Sequence, residues 1–275
     1  MKHLYSLHRI IVSCLLLFLF QTGHGGNPYL NSAGAGEAGM GSVCIMKTGF
    51  WPSFRNQALL AFNTSLTAGF NYENRFNLWE LGTRTAGLAI PAGKTSLGFI
   101  YSHFGYSDFR RSMFGLACGM PLGENLSAGV QADYFFENAS GDYESMHSVT
   151  CEAGVFFRPS EKVSFGVHIF NPVPNSLRKT IMPSSIRAGA GIELSKVLFA
   201  GAEAEMSTGE KLIIRTGFEY EVMKKFWLRA GFSSENSSFT FGLGYLFKSL
   251  KIDLSFASHD KLGITSGASL IFNFK

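Results

Sequence analysis

Acidic and basic residues recur two positions apart in this chain with small residues between them, a spacing that puts them on one face of an extended strand. Glu203 and Glu205 stand this way, and after the turn Ser207-Thr208-Gly209-Glu210 come Arg215, Glu219 and Glu221. Asp133, Glu152, His168, Arg187, Glu193, Arg229 and Asp253 take equivalent positions in other stretches. Charges of both signs confined together neutralise one another. The chemistry expected of them is ion pairing, with Glu203, Glu205, Arg215, Glu219 and Glu221 meeting Arg187 and Arg229 on neighbouring strands.

Catalysis needs a nucleophile, a base and a group that orients the base. His168 lies within one strand spacing of Glu152, but no nucleophile elbow such as G-x-S-x-G accompanies it. A satisfied interior histidine is therefore preferred over a catalyst, and an enzyme is the least favoured class. No His, Cys, Asp or Glu cluster has metal-ligand spacing, so neither a metal nor a cofactor is expected. Cys44, Cys118 and Cys151 are widely spaced and read as small apolar residues rather than a disulfide framework or a zinc site.

The alternation that carries these residues runs through most of the chain. In the stretch 197–222, Leu198, Ala200, Ala202, Ala204 and Met206 oppose Phe199, Gly201, Glu203 and Glu205; after the turn Leu212, Ile214, Thr216, Phe218 and Tyr220 oppose Arg215, Gly217 and Glu219. That is an amphipathic antiparallel hairpin. Candidate strands cover 66–72, 83–90, 96–104, 112–120, 126–136, 149–157, 163–169, 185–194, 197–206, 211–222, 226–233, 239–247, 251–257 and 262–274, fourteen in all. Many are about 9 to 11 residues long, enough to cross a bilayer at a tilt.

The connections alternate in character. Those at 91–94, 121–124, 158–162, 195–196, 223–225 and 248–250 are short and mostly charged, whereas the intervening ones are generally longer, notably 137–146 and 171–183. Outer-membrane barrels sort their turns in this way and soluble sandwiches do not. The expected fold is an all-β transmembrane antiparallel up-and-down β-barrel of about fourteen strands, with outer-membrane lipid around it.

Composition agrees. The chain has 275 residues, 46% hydrophobic and 16% charged, which is too apolar for disorder. A net charge of +4 without a dense Lys/Arg block argues against a nucleic-acid partner. Basic Lys2, His3, His8 and Arg9 precede the apolar run 10–20, and a small-residue exit follows, as in a secretory signal peptide spanning 1–26. The run is about half a membrane helix, so cleavage is expected rather than anchoring. Residues 27–64 lack a period of two yet are too apolar to float free. They are expected to form a plug or hatch segment ahead of the barrel at 65–275.

Two stretches carry a resemblance. The segment Gly34-Ala35-Gly36-Glu37-Ala38-Gly39-Met40-Gly41, of the type G-x-x-x-x-G-M-G, with Asn56-Gln57-Ala58 and fourteen amphipathic strands after it, resembles the PorV/PorQ-like branch of the FadL-type outer-membrane barrels. Gln57 stands where that family has Pro. At the C-terminus Thr265, Gly267, Leu270 and Phe272 are similar to a barrel-assembly signal. The resemblance implies a Gram-negative outer-membrane location and a lumen filled by an N-terminal segment whose motif residues here are Gly36, Gly39, Gly41 and Asn56. It implies either diffusion of small hydrophobic or amphipathic compounds, or a non-conducting role with secreted proteins and type IX secretion machinery. The lumen and plug-contact candidates are Arg187, Glu193, Glu203, Glu205, Arg215, Glu219, Arg229, Asp253 and His168.

Overall fold

The computed structural model describes residues 27–30, 34–141, 145–173, 175–177, 180–235, 237–259 and 261–274, and sixteen strands lie among them. The expected signal peptide, 1–26, lies outside the described residues. The strands are β1 Thr67–Asn74, β2 Gly82–Ala92, β3 Thr95–Gly105, β4 Phe109–Pro121, β5 Leu126–Ala139, β6 Met146–Ser160, β7 Val163–Phe170, β8 Asn175–Leu177 and β9 Thr180–Met182. They continue with β10 Ser185–Ser195, β11 Leu198–Ser207, β12 Ile213–Met223, β13 Phe226–Ser233, β14 Ser238–Phe247, β15 Leu250–His259 and β16 Gly263–Asn273.

Fourteen of these close into one antiparallel barrel, each strand paired with its neighbour in sequence, β7 directly with β10, and β1 with β16. The closing seam runs from Thr67 opposite Asn273 to Asn74 opposite Ser266. Closure removes every sheet edge, the condition for a sheet to stand in lipid. The remaining two strands, β8 and β9, form a small separate sheet inside the long connection between β7 and β10. That connection was expected to be a plain loop; three-residue strands are too short for a period of two to register.

Alternation sorts the two faces as expected. Phe70, Phe114, Leu116, Val130, Phe218, Phe241 and Leu270 are exposed on the outside, while Asn71, Thr85, Gln131, Glu152, Arg187, Glu203 and Ser269 are buried inside. An apolar girdle around the whole molecule belongs against lipid, not water. Three register shifts, between Phe157 and Ser160, between Glu193 and Ser195 and between Glu221 and Met223, lie at strand ends beside short turns. Several strands run past their expected limits, β5 reaching Ala139 and β6 starting at Met146.

Candidate functional site: the lumen and the N-terminal segment

Before β1 the chain lies against the inward face of the barrel. It makes a helical turn, Ala35–Ala38, then two 3-10 helices, Trp51–Phe54 and Gln57–Phe62. Pro52 at the start of the first needs no hydrogen-bond partner there. Asn56 caps the second: its Oδ1 accepts from Ala58 N at 3.2 Å, and its Nδ2 donates to Ile45 O at 2.7 Å and Val155 O at 3.1 Å.

Glycines in register form the seat. Gly201 faces Gly217, and Gly217 faces Gly231, across β11, β12 and β13. A Cβ on Gly217 would stand 2.3 Å from Met40 O, and one on Gly231 would stand 2.3 Å from Gly41 N. The motif glycines meet this wall from the other side. Gly39 lies so close that a Cβ on it would be 2.6 Å from Gly242 Cα, and Gly41 has φ +68°. Gly36 stands beside Asp253 and Arg229. Thr240 Oγ1 closes the contact, accepting from Gly41 N at 2.8 Å and donating to Gly39 O at 3.1 Å.

The charged residues fall into two groups within the lumen. In the first, Glu205 Oε2 accepts from Arg187 and Arg215, both at 2.7 Å, and Arg215 also reaches Glu235 at 2.8 Å. Glu203 lies 3.5 Å from Arg187 and turns its other oxygen to the segment, accepting from the backbone N–H groups of Cys44 and Ile45. In the second, Arg229 bridges Glu219 at 2.6 Å and Asp253 at 2.7 Å, while Lys47 of the segment holds the other Glu219 oxygen at 2.7 Å. Apart from these, His168 Nε2 meets Glu152 Oε2 at 2.8 Å, and Gln57 Nε2 donates to the same oxygen at 2.8 Å. Paired with opposite charge across the lumen in this way, buried charge becomes tolerable and positional.

The structure thus brings together Arg187, Glu203, Glu205 and Arg215, and separately Glu219, Arg229 and Asp253. Glu193 stands at the short-turn mouth opposite Phe199, edging a depression of about 230 Å³ shared with Lys47 of the segment. One expectation needs correcting: Glu221 does not join the lumen pairs, because the bulge before Met223 turns it to cap the turn, accepting from Lys225 N at 2.9 Å. Sequence reasoning missed Gln57, Lys47 and Arg111, which the alternation could not reach from a segment without period or from beyond an expected strand end. Glu37, on the segment rather than on a spanning strand, is buried, and that burial raises its carboxyl above the ordinary range.

An apolar cluster in the lumen gathers Ile100, Met113, Phe135, Phe170, Met182 and Ile271 around Trp51 and Phe54. Tyr29 and Leu30 pack against it. The Tyr29 ring meets Phe135 edge-on at 5.8 Å and carries the Arg111 guanidinium at 4.2 Å. Arg111 also donates to Pro28 O at 3.1 Å and pairs with Glu137 at 2.8 Å. Near the short turns a second depression, about 320 Å³, opens between Phe50, Leu59, Phe62 and Arg158. The segment meets the wall through polar contacts at Glu203, Glu219 and Glu152 and through apolar ones at Phe199, Phe156 and Ala117.

The closed fourteen-stranded antiparallel barrel has solved counterparts. The fold is that of the toluene transporters. The Ralstonia pickettii toluene transporter TbuX superposes with a TM-score of 0.71 at 10% identity, over 90% of this chain and 100% of that one. The P. putida toluene transporter TodX gives 0.70 at 11% identity, over 89% and 99%. A Pseudomonas aeruginosa FadL homologue gives 0.65 at 13% identity, over 92% and 100%. No protein-family model and no curated protein matches the sequence.

Proposed function

We propose that this chain is a FadL-like channel of the Gram-negative outer membrane that admits small hydrophobic or amphipathic compounds, with residues 27–64 acting as its gate. The observation that carries the reading is the apolar compartment at Phe135, Phe170 and Met182, occupied by the chain's own Tyr29 and Leu30. A small apolar compound is chemically equivalent to those two side chains and would compete with them for the same surface. The fold shared with transporters of toluene points the same way. The glycine seat and the ion pairs at Glu203 and Glu219 would hold the rest of the segment in place while its leading residues exchange with ligand.

The PorV/PorQ-like alternative, a non-conducting partner of secreted proteins, draws only on the motif at Gly36, Gly39, Gly41 and Asn56. His168 and Glu152 serve here as an anchor for Gln57, with no catalytic role assigned. Uptake of toluene into proteoliposomes carrying the full barrel or one lacking residues 27–63 separates the readings. Faster uptake by the shortened barrel is expected. Equal permeability of the two would overturn the gate, and retention of secreted proteins by an impermeable barrel would favour the alternative.

A further inference from the structure

Charged side chains borne by the strands, away from the short turns, face the lumen at every described position but two. Arg84 on β2 and Arg110 on β4 point outward and are exposed. Between them on β3 stands His103, also outward, close enough for both guanidinium charges to act on it. Arg84 and His103 share one transverse row with Tyr72 and Ser112, and Arg110 lies one row nearer the long-loop end. The Arg84 guanidinium sits 5.8 Å from the centre of the Tyr72 ring, and His103 Nδ1 is 3.0 Å from Ser112 Oγ. Among the described residues no carboxylate pairs with Arg84 or Arg110.

The rest of the rim is different. At the corresponding outward positions, the far half of the barrel carries Ile186, Met206, Phe232, Phe239 and Ile264. Immediately below the cations, the next outward row of β3, β4 and β5 is aromatic: Tyr101, Phe114 and Tyr134. Aromatic girdles mark the interface of a membrane barrel, so the cations above this row stand at headgroup depth, on the side of the long loops. Fixed positive charge at that depth attracts anionic headgroups, and the guanidinium fork matches phosphate oxygens.

We propose that Arg84, His103 and Arg110 form a lipid-facing site for the phosphate of a phosphorylated glycolipid in the outer leaflet, its acyl chains lying over Tyr101 and Phe114. The inference rests on the outer-membrane placement above but not on the channel reading, because none of these residues touches the lumen. A free phosphate would gain nothing from the aromatic row below, whereas an anchored headgroup fills both parts of the surface.

The test is native mass spectrometry of the detergent-solubilised full barrel with added diphosphoryl lipid A, its dephosphorylated analogue, phosphatidylglycerol or inorganic phosphate. The wild type should retain diphosphoryl lipid A at least tenfold better than the other three. The Arg84→Gln/Arg110→Gln variant should lose that preference, with unchanged heat-modifiable migration to show that it folds and unchanged toluene uptake in phosphatidylcholine vesicles. Equal retention by the variant, or equal retention of the dephosphorylated analogue or of phosphatidylglycerol, would overturn the site. If the double variant fails to fold, Phe239→Gln/Ile264→Gln on the opposite rim is compared with His103→Gln; only His103→Gln should weaken glycolipid retention, and equal weakening would also overturn it. Absence of toluene uptake by the wild type would sink the channel and leave this result standing.

Discussion

Gln57 Nε2 lies 2.8 Å from Glu152 Oε2, so a side chain of the N-terminal segment is tied directly to the barrel wall. His168 shares the same oxygen. Removing the carboxylate by Glu152→Ala leaves two buried polar partners unmade, at a cost of about 1–3 kcal/mol each. The expected outcome is faster proteolysis of residues 34–63 in the intact barrel, with heat-modifiable migration preserved. Unchanged protection would show that the contact holds nothing.

The seat at Gly217 gives a sharper prediction. A side chain there cannot coexist with Met40 O at 2.3 Å, and the obstacle is backbone. Gly217→Val should unseat the segment while the barrel still closes, because β-branched residues suit strands. Toluene uptake should rise toward that of the barrel lacking residues 27–63. Uptake equal to wild type would count against the segment as a gate.

Glu205 is held by two arginines. Arg187→Ala should lower barrel stability by about 3–5 kcal/mol, since it strips a buried partner from Glu205 and Glu203. Replacing Arg187, Glu205 and Arg215 together by Met should recover most of that loss. Urea unfolding from lipid vesicles measures both. A triple variant as unstable as the single one would show that the ion group contributes more than mutual neutralisation.

Lys47 and Glu219 join segment and wall near the short turns. Because the pair is only partly shielded, its contribution should be about 1 kcal/mol and should fall with salt. Lys47→Ala should raise segment proteolysis modestly at low ionic strength, with the difference closing at 1 M salt. A difference that persists at high salt would point to packing of the lysine stem on Phe199 instead.

Glu37 makes segment docking pH-dependent. Burial raises its carboxyl, so the docked form binds the proton more tightly than the released form. Docking is therefore favoured at and below the ordinary carboxylate pKa and weakens as pH rises from there through the raised value. Protease protection of residues 34–47 should decline as pH is raised from 4.5, and Glu37→Gln should abolish the dependence. A pH-independent variant and wild type alike would remove Glu37 from the account.

The alternation of Phe239, Phe241, Leu243 and Tyr245 against Thr240, Gly242 and Gly244 is a local property, and it determined strand, face and fourteen-fold count without reference to distant residues. Alternating turn lengths similarly determined which end of each strand carries the long loops. The inward placement of Arg187, Glu203, Glu205, Arg215, Glu219, Arg229 and Asp253 was legible for the same reason. Glu193 and Glu221 share that period, but strand-end geometry decides their partners, and a bulge is invisible to a period of two.

Tertiary structure alone decided the course of residues 27–30 and 34–63. Their seat is made of backbone approaches between Met40 and Gly217 or Gly41 and Gly231, contacts between segments far apart in the chain that leave no periodic trace. It also decided how the acidic residues divide: Glu203 spends one oxygen on Arg187 and the other on the N–H groups of Cys44 and Ile45. Periodicity specifies which way a side chain points; only closure of the barrel and threading of the segment specify what it meets there.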